Sequence, residues 1–194
     1  MGLGPNCARL AHALRERGLD PAADDVRLVG VEPNAAMHDG CRRAAEAAGF
    51  AAPLDLRPLY AEQLADHFPA HSFDAAVVTL VFCSVPDVQG ALAALRRVVK
   101  PGGRLLLLEH VAADPGTRPR ARRAQKVLDP LWAVIGDGCS LSRDTRAALR
   151  EAGILQIGDN EARLVDVAAE GDGGNGGGGL MSSLLPMIAG VLEM

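Results

Sequence analysis

Apolar positions at 8–14 recur at helical spacing and stop at the Gly, Pro and Asp cluster of RERGLDPAADD, which predicts a helix followed by a loop. The run RLVGV at 27–31 is short, apolar and ends in Glu-Pro-Asn. The Ala-rich stretch 35–48, closed by Gly49, then reads as a helix, so this segment is a strand, a turn and a helix. Positions 54–59 alternate as a strand does, and 61–67 form a brief helical turn. Ser72-Phe73-Asp74 leads into AAVVTLVF, an unbroken apolar run of the kind a parallel strand shows when covered on both faces. An amphipathic helix over 88–99 carries Arg96 and Arg97 on its polar side. Lys100-Pro101-Gly102-Gly103 stops it before a strand at 104–109. The order βαβαβαβ predicts a doubly wound α/β sheet.

Beyond it, 118–135 is helical in pattern apart from an interruption at Asp129-Pro130, and a further helix over 144–152 follows the loop DGCSLSR (137–143). Strand-like runs occupy 163–168 and 187–192. Between them lies GDGGNGGGG (171–179), which is expected to be a flexible connection because glycine loses the most backbone entropy on ordering. There is no internal repeat, and a single domain over 1–194 is expected.

Composition narrows the class. With 194 residues, 48% apolar, 23% charged and a net charge of -4, the chain reads as one soluble globular domain. A chain this long buries roughly 70% of its unfolded surface, so its core needs no disulfide or metal. The four cysteines (Cys7, Cys41, Cys83, Cys139) form no CxxC pair and have no histidine at zinc-site spacing. No metal is expected, and a reduced, cytoplasmic compartment fits. The acidic balance gives no nucleic-acid footprint, and the basic cluster RPRARR (118–123) is expected to be a solvated helix face. No stretch approaches the ~20 apolar residues of a membrane span, the start MGLGPNCARL lacks a signal-peptide layout, and a monomer is expected.

Two motifs carry chemistry. A glycine turn (Gly2, Gly4), a helix and a strand ending in Glu32 are the parts with which a Rossmann-like fold holds a ribose: the glycines admit the ligand close to the backbone, and the carboxylate accepts from ribose hydroxyls. KPGG (100–103), set between a helix and RLLLLEH and preceded by FDAAVVTLVFCSV, is the second. With LRRVVKPGGRLLLLEHVA, VLDPLW (127–132) and DGCSLSR, these stretches resemble the class I S-adenosylmethionine-dependent methyltransferases. Within that class they resemble the methyltransferase-like protein 7 group, which methylates alkyl thiols.

The resemblance implies a Rossmann-like, mostly parallel seven-stranded sheet with helices on both faces, S-adenosylmethionine as cofactor and a small acceptor, an apolar thiol. It places Gly2 and Gly4 near the methionine part of the cofactor, Glu32, Pro33 and Asn34 at the ribose, and Ala61 and Glu62 at the adenine edge. Thr79, Leu80 and Val81 fall at the ligand end of the sheet. LLPMIAGVLEM (184–194) resembles the family's last strand. The family's first glycine, its first strand and its N-terminal membrane-anchoring segment have no counterpart. That strand is central, and each buried, unpaired backbone group costs about 1–3 kcal/mol. An N-terminally shortened chain, or another segment filling the gap, is therefore expected. Membrane association, at the endoplasmic reticulum or a lipid droplet, is expected only through such a missing segment.

Methyl transfer to a thiol is an in-line displacement, so the protein mainly aligns the partners, excludes water and favours the thiolate. His110, following the fifth strand of the family's sheet, is the candidate base or thiolate-stabilising group; the rival reading is a histidine that caps the strand end. Asp137, also taken as catalytic, and Asp129 belong to the segment expected to roof the acceptor, with helix capping as the rival. Cys83 either faces the methyl group or a thiol acceptor or packs, and Cys139, in the same loop as Asp137, is expected to do no more than pack. Three alternatives stay open: an oxygen- or carbon-directed small-molecule methyltransferase, an inactive cofactor-binding pseudoenzyme, and a nicotinamide-dependent dehydrogenase, which gives no account of KPGG or the DGC loop.

Overall fold

The computed structural model describes residues 4, 6–23, 26–136, 138–155, 164–167 and 185–194. Its regular elements are α1 (Cys7–Glu16), β1 (Val29–Val31), α2 (His38–Ala48), β2 (Asp55–Arg57), α3 (Leu64–His67), β3 (Phe73–Thr79), α4 (Val88–Val98), β4 (Val99–His110), α5 (Pro119–Ile135), α6 (Thr145–Glu151), β5 (Leu164–Val167) and β6 (Met187–Glu193). Contacts group the chain into two compact units, Met1–Tyr60 and Ala61–Met194.

In the first unit, β1 and β2 pair in parallel, with Val29 opposite Asp55. Helices α1 and α2 pack through Cys7, Ala11, Cys41 and Ala45, with Phe50 and Leu54 completing the core. Helix α2 ends at Gly49 in the left-handed region, φ +88°, as its glycine suggested, and Arg15 Nη2 donates to the Ala48 carbonyl there at 2.9 Å.

The second unit contains a four-stranded sheet in the order β3-β4-β6-β5. Strand β4 is parallel to β3 and antiparallel to β6, which in turn is antiparallel to β5. Along β4, Leu105 and Leu107 are buried and alternate with half-buried Leu106 and Leu108, the period of a strand. Asp87 caps α4 by accepting from the Gly90 N–H at 2.9 Å, and Leu92, Leu95 and Val98 form the helix's buried stripe. The KPGG turn has a steric reason: a Cβ on Gly103 would lie 2.8 Å from the Lys100 carbonyl oxygen and 2.9 Å from that of Asp74. Only glycine lets β4 enter beside β3 at that point.

Three expectations are corrected. Among the described residues the strands are not in one sheet: six of them fall into a two-stranded and a four-stranded sheet. Among those same residues, β1 pairs only with β2 and β3 only with β4. Strand β3 is the edge of its sheet among these residues, and it is not covered on both faces either, since Val77 is 41% exposed. Finally, Asp129-Pro130 does not interrupt the helix. Helix α5 runs through Pro130, and the carbonyl that loses its partner belongs to Lys126, a residue on the exposed side of the helix. The same helix leaves Val127, Leu131, Val134 and Ile135 exposed. The glycine tract and part of the strand expected at 163–168 lie outside the described residues. No helix among the described residues is long and apolar enough to cross a membrane.

Candidate cofactor and acceptor sites

In the first unit, Glu32 follows β1 directly and is buried, 9% exposed. Its backbone N–H donates to Arg57 in β2 at 3.1 Å, and its Oε1 accepts from the Asn34 N–H at 2.9 Å. Its carbonyl lies 2.8 Å from the His38 Nε2. A carboxylate held this way at the carboxyl end of a parallel strand is an acceptor for sugar hydroxyls. Asn34 acts locally, since its Oδ1 accepts from the Ala36 N–H at 3.1 Å and caps the short 3-10 turn before α2. Pro33 is exposed. Gly4 adopts φ +73°, and a Cβ there would come within 3.0 Å of Ala44 Cβ, so this glycine is required by the packing of α2. Gly2 lies outside the described residues.

In the second unit, Ala61 and Glu62 begin a 3-10 turn. Glu62 Oε1 accepts from the Asp87 N–H at 3.1 Å, whereas Oε2 is buried with no hydrogen-bond partner. An orphaned acceptor of this kind fits an amino group such as that of an adenine edge. Thr79 ends β3, Leu80 is 49% exposed, and Val81 is half-buried. Leu80 adopts φ +53°, a left-handed conformation costly for a leucine, at the end of the sheet where open α/β folds bind ligands.

The turn after Leu80 is held by Glu109, which is fully buried. Its Oε1 accepts from the Val81 N–H at 2.7 Å and from the Phe82 N–H at 3.2 Å. Burial pushes the Glu109 carboxyl up to about 7 against those bonds. His110, the last residue of β4, is 3% exposed. Its Nδ1 lies 3.6 Å from Cys139 Sγ, and its Nε2 has no partner. The neighbouring Cys139 sulfur, together with burial, pushes the Cys83 thiol up, while Cys83, with help from His110, holds the Cys139 thiol below the usual range.

Asp137 lies outside the described residues. Asp129 fastens the loop that carries Cys139: it accepts from the Leu141 N–H at 2.6 Å, from Ser142 Oγ at 2.5 Å and from Ser140 Oγ at 3.1 Å. Burial raises its carboxyl, but the bonds from Ser142, Ser140 and Leu141 outweigh this and leave it below the usual carboxylate range. Its role here is to anchor the loop.

The fold thus brings Cys83, His110 and Cys139 together, a grouping that sequence spacing did not indicate. The only advance signal was that Cys83 and His110 each follow a strand at the ligand end of the sheet. Glu109 was read only as a strand residue, yet it organises the turn that carries Cys83.

The parallel pairing of β3 with β4, antiparallel β6 and a carboxylate after β1 define the Rossmann-like fold of class I methyltransferases. In agreement, the structure of geranyl diphosphate C-methyltransferase from Streptomyces coelicolor superimposes with a TM-score of 0.63 at 16% identity, covering 99% of this chain and 67% of that one. The family model described as "Methyltransferase domain" matches residues 2–107, and the chain belongs to this family, whose cofactor is S-adenosylmethionine. Over 96 residues it is 42% identical to thiol S-methyltransferase TMT1B of Rattus norvegicus, covering 50% of this chain and 37% of the relative. Over 137 residues it is 38% identical to demethylmenaquinone methyltransferase of Thermus thermophilus, covering 70% of this chain and 58% of the relative. The chain therefore spans less than two thirds of the curated relatives it matches.

Proposed function

We propose that the chain binds S-adenosylmethionine and transfers its methyl group to the sulfur of a small apolar thiol. The observation that carries this reading is the setting of His110: buried, at the carboxyl end of β4, with Nδ1 3.6 Å from a sulfur atom. Similarity to a thiol S-methyltransferase supports the choice of acceptor. When bound, the cofactor supplies a methyl group on a sulfonium. Glu32 would accept from the ribose hydroxyls and Glu62 from the adenine amino group, with Gly4 and Thr79–Val81 as further residues that would hold the cofactor. His110 would take up the acceptor's proton or hold its thiolate. The chemistry supplied would be displacement at the methyl carbon, a new sulfur–carbon bond replacing the broken sulfonium one, with a thioether and S-adenosylhomocysteine as products.

A carbon-directed reading has one observation in its favour, the longer match to the Thermus enzyme. Titration calorimetry with S-adenosylmethionine, followed by label transfer from it to a panel of alkanethiols and quinols, tests both. The expected results are binding, loss of about 10-fold or more in affinity for Glu32→Ala from charge-assisted hydrogen bonds worth about 1.5–3 kcal/mol, and labelled thioether. Labelled quinol without thioether would replace the acceptor, and absence of cofactor binding would overturn the proposal.

A further inference from the structure

The fold converges three soft or borderline metal-ligand groups from parts of the chain far apart in sequence. Cys83 sits in the turn after β3, His110 ends β4, and Cys139 lies in the loop after α5. One ligand atom from each lies within 4.8 Å of the others. The Cys139 to His110 separation is 3.6 Å. For metal bonds of about 2.0 Å to nitrogen and 2.3 Å to sulfur, a tetrahedral centre needs ligand separations of roughly 3.3–3.8 Å. One edge of the triangle is already that size, and the widest needs to close by about 1 Å.

The three groups are also held in place from behind. The Ser140 N–H donates to the Cys83 carbonyl at 2.8 Å and ties the two cysteine-bearing segments together. Asp129 fastens the Cys139 loop, and Glu109 fixes the turn that carries Cys83. Cys83 is 2% and His110 3% exposed.

Two independent features point to a ligand that fills this triangle. His110 is an almost fully buried imidazole whose Nδ1, the ring atom on the triangle, meets only a sulfur, an unusual condition for a buried ring. Beside it, Glu109 is a fully buried carboxyl with Oε2 unpartnered, and it interacts electrostatically with both thiols. Two sulfurs and a carboxyl crowded together out of water favour a positive charge among them.

We propose that Cys83, His110 and Cys139 bind one soft divalent ion, of which zinc is the type, through two sulfurs and one ring nitrogen. Three protein ligands leave a fourth position open, as in zinc sites that act on a substrate rather than only brace a fold. The occupant of that position rests on the methyl-transfer reading: there an acceptor thiol would bind as thiolate, the ion taking over the stabilising part assigned above to His110. The ion itself does not rest on that reading.

Cobalt(II) serves as the probe because a tetrahedral thiolate site gives it visible d–d and sulfur-to-metal charge-transfer bands. The full chain, reduced and freed of metal, is titrated with cobalt(II) and then with zinc, without cofactor or thiol. The expected result is one ion per chain with both bands, displaced by zinc. Affinity falls by at least about 10-fold in Cys83→Ser, Cys139→Ser and His110→Gln, each checked by circular dichroism to retain the parent fold. Cys41→Ala, in the other unit, keeps the site and controls for adventitious thiol binding. Absence of the bands in reduced protein, bands that survive all three substitutions, or a Cys83–Cys139 disulfide that forms equally fast with zinc present would each overturn the proposal. Because no methyl donor is present, failure here leaves the methyltransferase reading standing, and failure of methyl transfer leaves this site standing.

Discussion

Removing the carboxylate that anchors the Cys139 loop should cost more than an ordinary surface change. Asp129→Ala takes the acceptor away from the Leu141 N–H and from two serine hydroxyls. The hydroxyls can turn to water because this region is only part-buried. The amide cannot, and an unmet backbone donor costs about 1–3 kcal/mol. With the lost charge-assisted bonds the expected destabilisation is about 2–3 kcal/mol. With a urea slope of about 2 kcal/mol/M, the midpoint should drop by about 1 M. Asp129→Asn keeps one acceptor oxygen and should cost about 1 kcal/mol. Amide hydrogen exchange at Leu141 should quicken more than exchange in β4, since the loop is loosened before the sheet. The pH dependence has a definite sign. The folded-state carboxyl lies below its unfolded value of about 3.9, so its contribution is fully present above that value and is lost as pH falls through the lower, folded one. The gap between parent and Asp129→Asn should therefore be widest near neutrality and shrink below about pH 4. An unshifted midpoint for the alanine variant, or a gap to Asp129→Asn equally wide at pH 3 and pH 7, would refute this account.

Three further outcomes are expected. Gly103→Ala forces a methyl against two backbone carbonyls and should cost about 3 kcal/mol, read as a lowered melting temperature with unchanged helix content. Gln125 is fully buried, accepting from the Ala113 N–H at 2.7 Å and donating to the Val111 carbonyl at 3.3 Å. Gln125→Ala strands both and should lower stability by about 2–4 kcal/mol in urea. Leu80→Gly relieves a left-handed leucine whose side chain is half exposed, so stability should stay within about 1 kcal/mol of the parent. A weaker calorimetric affinity for S-adenosylmethionine in that variant would assign the side chain to the cofactor, and an unchanged one would leave it a backbone role.

Local signals carried much of this fold. Gly49 stopped α2, because a helix end needs a residue of a particular chemistry at a particular place. The apolar run of β3 was legible as a strand but not as an edge, since pairing on its second side depends on residues elsewhere in the chain. Pro130 misled because its cost was weighed without knowing that Lys126 faces water. The place of Glu32 directly after β1 was legible because a short apolar run ending in a turn fixes where the strand stops. The meeting of Cys83, His110 and Cys139 was not, because tertiary contact rather than spacing creates it. Asp129 belonged to a recognisable motif, but its hydrogen bonds to 140–142 could not be read from it, because they join a helix to a loop that only the fold brings alongside.

The place of β4 between a parallel and an antiparallel neighbour also sets an order of assembly. Strand β3 reaches β4 across a single helix, α4, so that pair closes a short loop and can form early. Strand β6 returns only after α5, α6 and β5, and its pairing from His110–Met187 to Arg104–Glu193 closes a far longer one. Cys83 and His110 are therefore neighbours in the early, local part of the folding reaction, whereas Cys139 arrives with the later elements. An ion captured by all three would bind only once both stages are complete. It would slow unfolding more than it speeds folding, because it rewards contacts made last.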